Sequence, residues 1–68
     1  MEPKYKNIHV KLSESDGNAF VVIGKVRQAL KDAGKAPEEI KVFTEEAMSG
    51  DYDHLLQTCM NWVDVRLY

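Results

Sequence analysis

Two short alternating stretches, one near each end of the chain, leave few folds open to it. In NIHVKL, Ile8, Val10 and Leu12 fall on one side, with His9 and Lys11 on the other. In WVDVRLY, Val63, Val65 and Leu67 alternate with Asp64 and Arg66. A repeat of two marks a half-buried strand. A single strand is not stable in water, so the two ends are expected to pair with each other. The segments between them must then cover the apolar face that results.

Those segments read as three helices. SESDGN is a cluster of turn formers that ends the first strand. From Ala19 the period changes: Ala19, Phe20, Ile23, Val26, Leu30 and Ala33 recur at helical spacing, opposite Lys25, Gln28, Lys31 and Lys35. FVVI alone would suit a strand, but the pattern continues through GKVRQALKDAG, longer than an ordinary strand. Asp16 or Asn18 can cap this helix with a side-chain oxygen, and Gly34 suits its end. Pro37 opens a second helix, with Glu38 and Glu39 at the positive end of its dipole. Its apolar stripe is Ile40, Phe43, Ala47 and Met48, and Ser49-Gly50 stops it. Asp51 can cap a third helix, in which Tyr52, Leu55, Leu56, Cys59 and Met60 are spaced at three and four.

The expected class is α+β, in the order β-α-α-α-β, with the terminal strands packed against three helices. No Gly or Pro separates the third helix from the last strand, so no sharp reversal is expected there and antiparallel pairing is favoured. Sixty-eight residues make one domain, 1–68, near the lower limit for a chain that folds unaided. The single cysteine excludes an internal disulfide, so packing must carry the fold. A two-stranded sheet has two open edges, and joining two copies across one edge would make a four-stranded homodimer.

The net charge of −2 hides a polarity. Residues 1–36 hold seven basic and four acidic side chains, a balance of +3; residues 37–68 hold two and seven, a balance of −5. Solvated helix faces account for much of this, and what remains suits a charged partner. MEPKYKNIHVKL has no apolar stretch of the signal-peptide kind, and no run approaches the ~20 residues of a membrane span. A cytoplasmic location is the expectation, with no membrane partner.

SGDYDHLLQTCMNW gathers aspartates, a histidine, the cysteine and the tryptophan. Asp51 and Asp53 fall in a first helical turn, where carboxylates suit the unpaired amides without a metal. His9, His54 and Cys59 are too few soft ligands for a structural zinc, so no metal or cofactor is expected. Cys59 sits on the Leu55 side, about 140° around the helix from His54, which leaves it without a base. Trp62 is expected to close one end of the core or, if half exposed, to serve as a binding anchor. SDGNAFVVIG lacks the spacing of a phosphate loop, and Gly24 is expected to permit close helix packing.

VKLSESDGNAFVVIGKVRQALKDAGKAPEEI and SGDYDHLLQTCMNWVDV resemble segments of small uncharacterised proteins encoded by bacteriophages and other bacterial mobile elements. The resemblance covers nearly the whole chain. It implies a bacterial or phage cytoplasm and supplies no catalytic residues.

The reading favoured by these features is a non-enzymatic interaction module, phage- or mobile-element-associated, binding a protein partner or itself. Tyr52, Asp53 and His54 are its candidate contact surface. An alternative is a protein that sequesters a small ligand or nucleotide, using the Asp16-Gly17-Asn18 turn and the basic first helix, with Lys25, Lys31 and Lys35 as the anion patch. Nucleic-acid binding through Lys25, Arg27, Lys31 and Lys35 is the weaker alternative, because the chain is acidic overall and no aromatic interleaves those basic residues.

Overall fold

The computed structural model describes residues 3–13 and 18–67, Leu67 through its backbone alone. The expected burial of the Leu67 side chain, and the placement of Tyr68, lie outside the described residues. β1 (Tyr5–Leu12) and β2 (Val63–Leu67) form a two-stranded sheet, and between them come α1 (Ala19–Asp32), α2 (Pro37–Ala47) and α3 (Tyr52–Trp62). The class and order are those expected, but the strands run parallel, not antiparallel. A parallel pair cannot be closed by a hairpin and needs a long crossover, which the whole helical layer provides. The junction that suggested antiparallel pairing is neutral in this respect: Trp62 ends α3 and Val63 is already extended, with φ −136° and ψ 166°. How the helices pack on the sheet decides strand direction, and residue types at one junction do not. Lys4 N donates to Asn61 O at 2.7 Å, so the start of β1 lies beside the start of β2.

The register pairs His9 with Asp64, Val10 with Val65 and Lys11 with Arg66, while Tyr5 pairs with Val63. The irregularity between Tyr5 and His9 changes which residues of β1 face inward. Tyr5 packs on the core before it; Ile8, Val10 and Leu12 do so after it. Alternation therefore fails at the start of β1, and the strand begins earlier than NIHVKL indicates.

Local chemistry explains the helix ends. Asn18 Oδ1 accepts from Phe20 N at 2.8 Å and caps α1. Gly34, at φ +80°, ends it: Gly34 N donates to Lys31 O and Lys35 N to Leu30 O, which satisfies two last-turn carbonyls. α2 begins at Pro37 with no side-chain cap, and Asp51 Oδ1 caps α3 by accepting from His54 N at 2.9 Å.

The core lies between the helices and one sheet face. Val10, Leu12 and Val63 meet Val22, Ile23, Val26 and Leu30 of α1, Phe43 and Ala47 of α2, and Leu55, Cys59 and Trp62 of α3. Each large side chain among them contributes about 1.5–3 kcal/mol on leaving water. Within FVVI it is Val22 and Ile23 that turn inward, and Phe20 turns out. Trp62 is buried, edge-on to Phe43 at 5.5 Å between ring centroids, and does not present an exposed anchor. Lys4 Nζ lies 4.5 Å from the Trp62 ring centroid and pairs with Glu39 at 3.1 Å, covering that end of the core. No helix among the described residues is long and apolar enough to cross a membrane.

Candidate functional site

The turn between α2 and α3 is where the polar cluster of the sequence comes together. Ser49 and Gly50 leave α2, Asp51 caps α3, and the His54 ring folds back over the turn. Its Nε2 lies 3.0 Å from the Glu46 carbonyl oxygen and 3.1 Å from Ser49 Oγ. A carbonyl oxygen only accepts, so Nε2 carries the hydrogen. Ser49 donates to the same carbonyl from Oγ at 2.7 Å and from N at 3.2 Å, which fully engages this last-turn acceptor of α2. Thr58, buried below, donates from Oγ1 to His54 O at 2.8 Å. Gly50 makes room for the ring: a Cβ at that position would lie 2.8 Å from His54 Cγ and 2.9 Å from His54 Cβ.

This engagement leaves His54 Nε2 unsuited to act as a base or a metal ligand. Its neighbours differ. Tyr52 and Asp53 are exposed, and Tyr52 belongs to a larger apolar surface. Phe20 is 74% exposed, Met48 54% and Tyr52 40%, and all three line one hollow of about 210 Å³. The core residues Ile23, Ala47 and Leu55 line the same hollow, as does Asp51. Such a surface can accept an apolar side chain, with the Asp51 carboxylate at its margin.

No family model, curated protein or solved structure matches this chain.

The remaining candidate residues are distributed elsewhere. Lys31 and Lys35 line a groove between α1 and α2 together with Arg27 and Lys41, whereas Lys25 lies off it. Asp16 and Gly17 of the Asp16-Gly17-Asn18 turn lie outside the described residues, and the side-chain oxygen of Asn18 is engaged as the cap of α1. Gly24 does not serve close packing: a Cβ built there meets nothing within 4 Å. Burial raises the Cys59 thiol from 9.0 to about 11, which removes the thiolate a nucleophile needs. Among the described residues, no three His, Cys, Asp or Glu side chains are placed to hold a metal ion.

The parallel register creates one pair the sequence does not suggest. His9 Nδ1 lies 2.7 Å from Asp64 Oδ2, and Arg66 Nε donates to the same oxygen at 3.2 Å. The His9 hydrogen bond is the leading cause that holds the Asp64 carboxyl below its ordinary value of 3.8; desolvation opposes it, and Arg66 adds to the lowering. Helical spacing also places Phe20 and Met48 in the buried stripes, whereas both are exposed. The signal available was the run of apolar residues itself, which is wider than one helix face can bury.

Proposed function

We propose that the chain is a non-enzymatic interaction module that binds a protein partner through the Phe20–Met48–Tyr52 surface. The carrying observation is the exposure of these three side chains around a single hollow that Asp51 also lines. All three are flexible or aromatic residues of the kind that make anchors: Phe20 offers an apolar ring, Met48 reshapes to its contact, and Tyr52 offers a ring with a polar tip. The partner therefore presents an apolar side chain flanked by basic groups, which meet the acidic residues of α3. The excess of carboxylates over residues 37–68 supports that polarity. The resemblance to phage and mobile-element proteins makes a bacterial cell the setting in which we propose the partner is met.

Phe20→Ser tests this reading without disturbing the fold, since a residue so exposed changes stability by less than about 0.5 kcal/mol when replaced. A protein captured from bacterial lysate by the wild type is purified, and its affinity is measured for wild type, Phe20→Ser and the distant control Lys6→Ala. Loss of a central anchor is expected to weaken binding by roughly 2 kcal/mol, with the control unchanged. Equal affinity for the wild type and Phe20→Ser overturns the assignment.

A further inference from the structure

The groove between α1 and α2 has a volume of about 630 Å³, within the range of small-ligand sites. Arg27 and Lys31 are four residues apart on α1, so they share a face about 6 Å apart along the axis. Gly34 then turns the chain, and Lys35 joins them. Lys41 faces them from α2. Four cations thus line one opening, and among the described residues no carboxylate lines it. Among the described residues, Arg27, Lys31 and Lys41 have no ion-pair partner. Lys4, by contrast, is paired with Glu39. Asp32, near the end of α1, accepts from Gln28 Nε2 at 2.8 Å. Like charges one turn apart cost a helix a few tenths of a kcal/mol, and an anion between them reverses the sign of that interaction.

The chemistry of the lining narrows the anion. Thr44 Oγ1 donates to Ile40 O at 2.8 Å, so its hydrogen is already engaged. Recognition falls to the charged groups: the Arg27 guanidinium forks onto two phosphate oxygens, and the lysines act as point charges. Lys35 Nζ is held 4.2 Å from the Tyr5 ring centroid, which limits the freedom it loses on binding. Pro37 and Ile40 supply an apolar wall. Among the described residues no aromatic side chain lines the groove, which leaves it without the stacking platform of a single-stranded nucleic-acid site.

We propose that this groove binds a small polyphosphate anion, either a nucleotide carrying a phosphate chain or the inorganic chain itself. None of its lining residues belongs to the Phe20–Met48–Tyr52 hollow, so the two sites stand or fall separately.

Thermal unfolding of the whole protein, with ATP, inorganic tripolyphosphate or inorganic phosphate, tests the proposal. At a hundredfold excess over Kd, ATP or tripolyphosphate is expected to raise Tm by about 10–20 °C. A response to ATP alone identifies a nucleotide, and equal responses identify the phosphate chain. The double substitution Arg27→Gln/Lys31→Gln is expected to weaken binding roughly tenfold or more, the size of one charge-assisted hydrogen bond. Lys25→Gln, off the groove, leaves it unchanged. Amide shift mapping on the wild type provides a reading independent of variant folding, with changes expected at Gly24, Gln28, Lys41 and Thr44. No stabilisation at millimolar ligand overturns the proposal, as do amide shifts confined to other residues. Equal weakening by Lys25→Gln does so too, since it makes the effect one of general charge. Tighter binding of a single-stranded oligonucleotide than of tripolyphosphate, with a steep salt dependence, overturns it in favour of nucleic acid.

Discussion

The α2–α3 turn and the α1–α2 groove each place a glycine beside polar side chains, and the two are built in opposite ways. At the turn, Gly50 is filled against: the His54 ring occupies the space a Cβ would need, and its Nε2 is satisfied by Glu46 O and Ser49 Oγ. At the groove, Gly24 faces open space, and cations stand around it without carboxylates among the described residues. The cluster that looks chemical in the sequence is therefore a structural joint. The helix face that looks merely solvated is the one left with unmet charge. Polar residues that satisfy one another stabilise a fold, whereas those that converge without partners are what an incoming ligand can use.

Gly50→Ala gives the strongest test of this contrast. Its Cβ would press on His54 Cβ and Cγ, which are not the yielding end of a side chain. Overpacking of this kind costs about 1–3 kcal/mol, offset by about 0.4–1 kcal/mol because alanine restricts the unfolded chain. A net loss of about 1–2 kcal/mol is expected by urea denaturation. In a double-mutant cycle with His54→Ala the penalty should shrink without vanishing, since the alanine Cβ stays at the contact. If Gly50→Ala is as stable as wild type, the turn is not a packed joint and the contrast fails.

Gly24→Ala should move stability the other way and by less. The position is inside α1, exposed, and unobstructed. Alanine has a helix propensity about 1 kcal/mol better than glycine, so a gain of about 0.5–1 kcal/mol is expected. The same denaturation series reads both variants. Destabilisation here would mean that the groove wall is packed more closely than its geometry indicates.

What the sequence made legible follows from how local each feature is. Helix order and ends were legible because Asn18, Gly34, Pro37 and Asp51 act within a few residues of themselves. FVVI was legible as helix but not by face: four apolar residues in a row leave spacing no means of choosing Val22 over Phe20. Strand direction was not legible, because it depends on how three helices stack, and the His9–Asp64 contact went with it. Of the candidate surface, Tyr52 and Asp53 lie outside, while His54 is drawn into the turn by a carbonyl on the preceding helix. Nothing in the sequence marks Lys41 as a groove residue, because it sits in the acidic half of the chain, and only the packing of α2 on α1 brings it to the groove that Arg27 lines. Charge balance along a sequence does not report charge balance around an opening.

The outer face of the sheet is intermediate between these regions, and Asp64→Asn should give the smallest effect. Its side chain is paired, like those of the turn, yet exposed, like those of the groove. Exposed pairs contribute little because water and salt screen them. The pH dependence is more diagnostic than the size. The folded-state carboxyl of Asp64 lies below its ordinary value of 3.8, chiefly through the His9 hydrogen bond. Its contribution is therefore complete above the unfolded-state value and declines as pH falls through the folded-state one. Asparagine does not titrate, so the stability difference between wild type and Asp64→Asn should diminish as pH falls through and below the carboxylate range. Urea denaturation across that range measures it. His9→Ala should remove most of the same acid-range difference, because His9 is the leading cause of the shift. Parallel pH profiles for wild type and Asp64→Asn would show that the pair does not hold in solution. The register that sets His9 against Asp64 would then lose its most direct chemical consequence.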